Sequence, residues 1–195
     1  MARPKEFDRD VALRKAMLCF WKQGYQATST EDIARAMGIG RQSMYDTFGD
    51  KHSVYLQALQ LYRDEQGGQL RDALADTVSP LRAVEAVLLS IAAERPTDRA
   101  RGCMLVNATT ECAPDDSGVL GVVRANANSC EMAFERAVRA AQVLGQLPAG
   151  LDPKSAGRFL FATVQGLRVT AKAGASSESL RDVALLALAG LGASS

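Results

Sequence analysis

The chain has 195 residues, 47% hydrophobic and 23% charged, which is typical of a folded globular protein and not of a disordered one. No apolar run reaches the roughly 18 residues that a membrane-spanning helix needs. The charged start, MARPKEFDRD, lacks the apolar stretch of a signal peptide. We therefore expect a cytoplasmic protein with no part in a membrane.

The net charge of +1 is unevenly distributed along the chain. Residues 1–63 hold ten Lys and Arg against seven Asp and Glu, a net charge of +3, whereas the remainder has thirteen against fifteen, a net charge of −2. A solvated surface often produces a bias of this size. Its sign is nevertheless the one expected of an N-terminal part that approaches phosphates.

The first predicted helix lies near the N-terminus and carries one apolar stripe. Asp8 or Asp10 can cap its start, and Gly24 suits its end. The stripe has the spacing of a single helix face. Its members are Leu13, Ala16, Met17, Phe20 and Gly24.

Two short helices and a long one follow. The short ones are predicted over about Thr30–Met37 and Arg41–Phe48, and the segment Ser29–Asp32 has the pattern of a capping-box variant. A longer amphipathic helix begins near Lys51, and we expect Gly67-Gly68 to weaken it near its end or to bend it.

Helical patterns also cover the rest of the chain, and sustained strand alternation is absent. We predict helices over about 80–94, 103–112, 118–144, 153–175 and 177–191, with Pro96, Pro114 and Pro148 in the breaks. The helix over 153–175 is apolar on more than one side, so it must be covered by its own core and by something else. The fold class is therefore all-α.

The two short helices and their connection, Gly38-Ile39-Gly40, have the pattern of a helix-turn-helix. Apolar residues are spaced to pack both helices on the first one, and these are Ile33, Ala34, Met37, Ile39, Met44 and Phe48. The second short helix would then expose a dense set of hydrogen-bonding side chains, namely Arg41, Gln42, Ser43, Tyr45, Asp46 and Thr47. A helix of this length fits the major groove of DNA.

The residue types on this helix suit the reading of bases. Arg41 can bond guanine O6 and N7, and Gln42 can bond adenine N6 and N7. Tyr45 and Lys51 suit contacts with phosphates. On pattern alone, two core helices with a solvated polar face remain an alternative.

The stretch from Gly24 to Lys51 reads GYQATSTEDIARAMGIGRQSMYDTFGDK and resembles the DNA-binding signature of the TetR (tetracycline-repressor) family. The matching pieces are G-Y-x-x-T-S-x-x-D-I-A, a glycine turn, and Y-x-x-F-x-x-K. The resemblance implies a three-helix DNA-binding head over residues 1–50. It also implies a sensing and dimerisation domain of about five to six helices over residues 51–195.

The resemblance further implies a homodimeric repressor that binds a palindromic double-stranded operator and is released by a small-molecule effector. The last two helices, at about 153–191, would form a four-helix bundle with their mates, as the doubly apolar helix requires. It implies no cofactor. DNA contacts are expected from Ser29, Thr30, Arg41, Gln42, Ser43, Tyr45, Asp46, Thr47 and Lys51.

Two positions depart from the common family pattern. Gly40 stands where Ser or Thr often caps the second short helix, and Thr47 stands where His is frequent. The acidic Asp46 beside it would repel phosphate, and would be explained if it accepted from a cytosine N4–H or oriented a neighbouring Arg.

Polar and aromatic residues within the apolar helices are candidates to hold the effector. They are Cys103, Asn107, Thr110, Phe134, Phe161, Gln165 and Arg168. Each could instead serve the core or the dimer interface. Cys103, with Arg99 and Arg101 close in sequence, is also a candidate redox-sensing or electrophile-sensing thiol, although a small buried hydrophobe is the plainer interpretation.

The four cysteines contain no C-x-x-C pair and the chain has one histidine, His52, so we expect no metal site and free thiols. A function of another class, a helical enzyme or small-molecule carrier, has little support. We find no nucleophile beside His52, no phosphate-binding glycine loop and no paired-carboxylate motif.

Overall fold

The computed structural model describes residues 7–75 and 78–192 and confirms the all-α prediction. Over these residues the chain forms ten α-helices: α1 (Arg9–Gln23), α2 (Thr30–Met37), α3 (Arg41–Phe48), α4 (Lys51–Ala73), α5 (Pro80–Ala93), α6 (Pro96–Arg101), α7 (Met104–Glu111), α8 (Ser117–Val143), α9 (Pro153–Lys172) and α10 (Ser177–Gly190).

The helices divide into two compact units. Of the described residues, the first unit contains 7–64 and 103–123, and the second contains 65–75, 78–102 and 124–192. This division differs from the predicted boundary at residue 50, because the first half of α4 and all of α7 group with the N-terminal helices.

The first unit packs α1, α2, α3, the start of α4, and α7 around one apolar cluster, as the stripe on α1 predicts. Its largest fully buried side chains include Phe20, Ile33, Met44, Leu59 and Met104. Local signals fix where its helices begin and end. Asp8 caps α1 by accepting from two backbone N–H groups, and Gly24 ends it in a positive-φ conformation (φ 85°) that favours glycine.

The second unit is built from longer helices around a second apolar cluster, contributed mainly by α5, α8, α9 and α10. At Gly157 the backbones of α9 and α8 approach so closely that a Cβ would lie 2.7 Å from the carbonyl oxygen of Glu131. Only glycine fits this contact.

One expectation about helix breakers was wrong. Pro96 does not lie in a break but begins the short helix α6, a position at which proline is favoured because its missing N–H has no helical partner. Gly67 and Gly68 lie within α4, which continues past them to Ala73, and the expected weakening or bend there stays a prediction. Among residues 7–75 and 78–192, no helix is both long enough and apolar enough to cross a bilayer.

Candidate nucleic-acid interface

The helix α3 presents the polar surface that the sequence predicts. Met44 is completely buried and Phe48 is 4% exposed, so this side of the helix faces the core of the first unit. The opposite side is exposed to solvent and carries Arg41, Gln42, Ser43, Tyr45 and Asp46.

The prediction that Thr47 is exposed on this surface was wrong. Its residue is half-buried, and its hydroxyl oxygen is shielded from solvent with no hydrogen-bond partner in the described part of the chain. Position 47 lies three residues after Met44 and one before Phe48, so it flanks the buried stripe. Its hydroxyl is therefore not displayed outward beside Tyr45 and Asp46.

The start of α3 lacks a side-chain cap. Gly38 ends α2 in the left-handed conformation (φ 75°), and Gly40 stands at the N-cap position of α3, where no side chain accepts from the helix. The first backbone N–H groups of α3 are thus left to solvent or to a bound acceptor. Such a terminus carries partial positive charge and suits a phosphate oxygen.

Arg41 is held by an acidic residue from the preceding helix. Its Nη1 lies 2.5 Å from Oε1 of Glu31, and both side chains are more than half exposed. The capping box of α2, in which Ser29 and Asp32 bond each other's backbone N–H, fixes the turn that carries Glu31. Since Ser29 serves this cap, its hydroxyl stabilises the first short helix; the hydroxyl of Thr30 bonds Glu31 at 3.2 Å.

Gln42 also has an acidic partner. Its Nε2 donates to Oδ1 of Asp46 at 2.8 Å, one helical turn later. The suggestion that Asp46 orients a neighbouring Arg was therefore wrong, because the residue that it contacts is an amide.

Lys51 lies at the first position of α4 against an aromatic group. Its Nζ is 4.3 Å from the centre of the Tyr25 ring, a cation–π contact. Tyr25 in turn packs on Tyr55, with ring centres 4.6 Å apart. The contact positions the ammonium group at the edge of the helix-turn-helix while leaving its hydrogen-bond donors available.

Glu111 is a residue of this region that sequence reasoning missed. Its two carboxylate oxygens accept from the backbone N–H groups of Tyr25 and Gln26 at 3.1 and 2.8 Å, and these residues lead into α2. A second carboxylate after α7, that of Asp116, lies 2.7 Å from Nε2 of His52. The first contact joins α7 to the segment between α1 and α2, and the second joins the segment after α7 to the start of α4.

The predicted effector residues are divided between the units. Cys103, Asn107 and Thr110 belong to the first unit, with Cys103 half-buried at the N-cap of α7. The others, Phe134, Phe161, Gln165 and Arg168, belong to the second, where both phenylalanines lie in the apolar core and the Arg168 guanidinium pairs with the Glu94 carboxylate.

The cysteines differ in their surroundings. Burial, reinforced by the Glu111 carboxylate, raises the pKa of the Cys112 thiol, and burial likewise raises the pKa of Cys19. Both thiols are therefore protonated and weakly nucleophilic at neutral pH. Within residues 7–75 and 78–192, no three His, Cys, Asp or Glu side chains cluster in a way that could hold a metal ion.

The helices α9 and α10 leave an apolar groove of about 370 Å³ on the second unit. Its lining residues are Phe159, Thr163, Gly166, Leu167, Thr170, Val183, Leu186 and Ala187. Phe159, Val183 and Leu186 are 46%, 45% and 75% exposed, which is unusual for large apolar side chains placed side by side. This is the face that the doubly apolar pattern of 153–175 predicts to be covered by something else.

Comparison with known proteins gives matches along most of the chain. Residues 12–58 match the bacterial regulatory proteins of the tetR family, and residues 78–185 match the tetracyclin repressor-like C-terminal domain. The HTH-type transcriptional repressor ComR of Escherichia coli (strain K12) is 30% identical over 187 residues, covering 93% of this chain and 88% of ComR.

Solved structures give the same likeness. A cysteine mutant of the TetR family transcriptional regulator CifR, complexed with a 26-base-pair double-stranded operator DNA, has a TM-score of 0.85 and 31% identity, covering 97% of this chain and 100% of CifR. A regulator from Rhodococcus sp. has a TM-score of 0.77 at 19% identity, covering 94% of this chain and 97% of its own, which shows likeness of fold.

Proposed function

Since this chain belongs to the TetR family of DNA-binding transcriptional regulators, we propose that it represses transcription from a palindromic operator, which it grips with α3. A dimer would place the two copies of α3 in successive major grooves on one face of the duplex. Such a regulator works where the chromosome is, in the cytoplasm.

The observation that carries this proposal is the start of α3. An uncapped helix N-terminus stands directly beside two exposed side chains, Arg41 and Gln42, that can make two-pronged contacts with bases. The first turn of a recognition helix is where such contacts arise. Lys51, held over Tyr25, supplies a cation for the backbone.

Two substitutions test the assignment of roles. Arg41→Ala is expected to weaken specific binding by about 1–3 kcal/mol and to relax one operator position. Lys51→Ala is expected to weaken binding to all sequences alike and to lower the salt slope by about 1. An operator selected from random duplexes with the wild-type protein supplies the probe for gel shifts. If both variants bind it like the wild type, α3 is not the reading helix.

We further propose that the operator-binding form is a dimer joined through the groove between α9 and α10. Burial of the exposed side chains of that groove against a second copy would complete a four-helix bundle. Residues 51–195 would then combine dimerisation with sensing, and residues 1–50 would form the reading head.

Release from the operator is proposed to follow the binding of an effector that favours a different head spacing. The candidate contacts are the residues named above, of which Cys103 offers a thiol at a helix start. Treatment with peroxide or a quinone distinguishes a thiol signal from a reversible ligand: the wild type should lose operator binding and Cys103→Ser should keep it. A Cys103→Ser variant that still responds excludes the thiol signal.

A further inference from the structure

We propose that Asp46 is a specificity-determining residue, which orients the Gln42 amide so that it reads adenine and rejects guanine. The inference rests on the proposed function, since it assumes that α3 lies in a major groove. It assigns a purpose to an acidic side chain on a surface that faces phosphates.

The geometry starts from the spacing of the two residues. Gln42 and Asp46 are four positions apart on α3, so their side chains lie one above the other on the exposed face. The amide nitrogen of Gln42 donates to the carboxylate at 2.8 Å. The opposite orientation of the amide would place its oxygen against the carboxylate, and two acceptors in contact repel each other.

The hydrogen bond determines what the amide has left to offer. A glutamine amide carries two N–H donors and one carbonyl oxygen, and Asp46 uses one of the donors. For this role Asp46 has to take the N–H trans to the carbonyl oxygen, so that the other N–H and the carbonyl oxygen remain side by side. Gln42 therefore presents one donor next to one acceptor.

Among the four bases, adenine has the complementary edge in the major groove, because its N7 accepts and its N6 amino group donates. Guanine presents two acceptors, N7 and O6, and would need both amide donors, one of which Asp46 already occupies. The Asp46 carboxylate would also repel the guanine oxygen. Cytosine and thymine each allow only a single contact with the amide.

The negative charge explains why this arrangement favours specificity over affinity. A carboxylate on the DNA-facing surface weakens attraction to every duplex, since phosphates are negative everywhere. The repulsion acts on every sequence, but only a sequence with adenine at this position offsets it, through the two-pronged contact with Gln42. Low affinity for non-specific DNA raises the specificity ratio.

The test compares the wild type with four variants on an operator that the wild-type protein has selected from random duplexes. Asp46→Asn keeps the shape of the side chain but lets its amide accept or donate, so Gln42 can turn either way. Asp10→Asn is the matched control, because it removes the same charge from an exposed position on α1 of the same unit. Gln42→Ala and the double variant Gln42→Ala with Asp46→Asn complete a double-mutant cycle. Thermal melting of each protein confirms that it is folded.

We expect the wild type to prefer A·T over G·C by at least about fivefold at one position in each half-site. Asp46→Asn should reduce that preference to below about twofold at that position alone, and should bind non-specific duplex more tightly. Asp10→Asn should keep the preference. In the Gln42→Ala background, Asp46→Asn should change no base preference.

Three results would overturn the inference. They are an unchanged base preference in Asp46→Asn, an equal loss of preference at all positions, and an Asp46→Asn effect that persists without Gln42. If the wild-type protein enriches no palindrome at all, the proposed function fails, and this inference with it. That outcome is distinguishable from the first three, which require a working operator.

Discussion

The two units of the molecule expose opposite kinds of surface. In the first unit the exposed helix α3 carries hydrogen-bonding side chains, and its apolar residues Met44 and Phe48 are buried. In the second unit Phe159, Val183 and Leu186 are exposed along a groove. A polar surface with fixed donors and acceptors selects among base sequences, whereas an apolar groove is stabilised by being covered.

The largest effect should come from placing a charge in that groove. Leu186 is 75% exposed, and Leu186→Glu would bury two carboxylates if the groove is the dimer contact. We expect a monomer in sedimentation experiments and a loss of at least about 100-fold in operator affinity, since half-site binding alone remains. Val143→Glu is the control, because Val143 is 86% exposed but lies at the end of α8 and not in the groove. A Leu186→Glu protein that stays dimeric would show that the groove is not the dimer contact.

A second comparison uses one glycine in each unit. Gly157→Ala should destabilise the second unit by about 2–3 kcal/mol, because the new methyl group would collide with the α8 backbone. Gly121→Ala, in the part of α8 that belongs to the first unit, should stabilise by about 0.5–1 kcal/mol, because a Cβ there meets nothing within 4 Å. Urea unfolding followed by circular dichroism measures both. Equal free energies of unfolding for the two variants would contradict the close approach at Gly157.

Loss of a Glu111 hydrogen bond should have a smaller effect on stability. Glu111→Gln replaces one accepting oxygen with an NH₂ group that faces a backbone N–H, whichever way the amide turns. We expect a loss of about 1–2 kcal/mol in the stability of the first unit. The only tryptophan, Trp21, lies in α1 and packs on Tyr62, so its fluorescence reports this unit. As a control, Asp115→Asn at an exposed position should leave the unfolding midpoint unchanged. An equal shift of the midpoint in both variants would contradict the stabilising role of the Glu111 hydrogen bonds.

The smallest effect should be a difference in acid sensitivity. Hydrogen bonds from backbone N–H groups or hydroxyls near helix starts are the largest cause of lowered carboxyl pKa values in both units. Four carboxyl groups with a lowered pKa lie in the first unit, at Glu31, Asp32, Asp50 and Asp116, whereas the second unit has one, at Asp152. Folding lowers these values, so the stabilisation is complete above the ordinary pKa and is lost as the pH falls through the folded value.

Below about pH 4, Trp21 fluorescence should therefore change at a higher pH than the helix content measured by far-UV circular dichroism. As a control, both transitions are measured again at high salt. Their order should stay the same, because salt screens hydrogen-bonded helix caps less than it screens surface ion pairs. Coincident transitions would show that the caps do not distinguish the units.

Local signals explain why the reading head could be predicted closely. The bounds of α2 and α3 agree with the prediction at both ends, because the capping segment Ser29–Asp32 and the glycines after each helix act within a few residues. The buried positions of α3 followed from its period. Thr47 was misplaced because a position beside the stripe can turn either way, and packing decides.

Contacts between distant residues could not be predicted in this way. Glu111 binds the backbone 85 and 86 residues away, and a lone glutamate at a helix end gives no sign of such a partner. Arg168 was a candidate ligand residue, but its pairing with Glu94, 74 residues away, was equally invisible. Pro96 was assigned to a break because the same residue type both ends and begins helices.

The packing of α7 against the N-terminal helices determines how chimeras of this regulator should be designed. A chimera that joins residues 1–64 to a foreign sensor would leave behind Met104, Leu105 and Ala108, which are buried among the N-terminal helices. It would also strip the Tyr25 and Gln26 amides of Glu111, their acceptor. A graft that keeps these contacts therefore has to carry residues 103–123 along with residues 1–64.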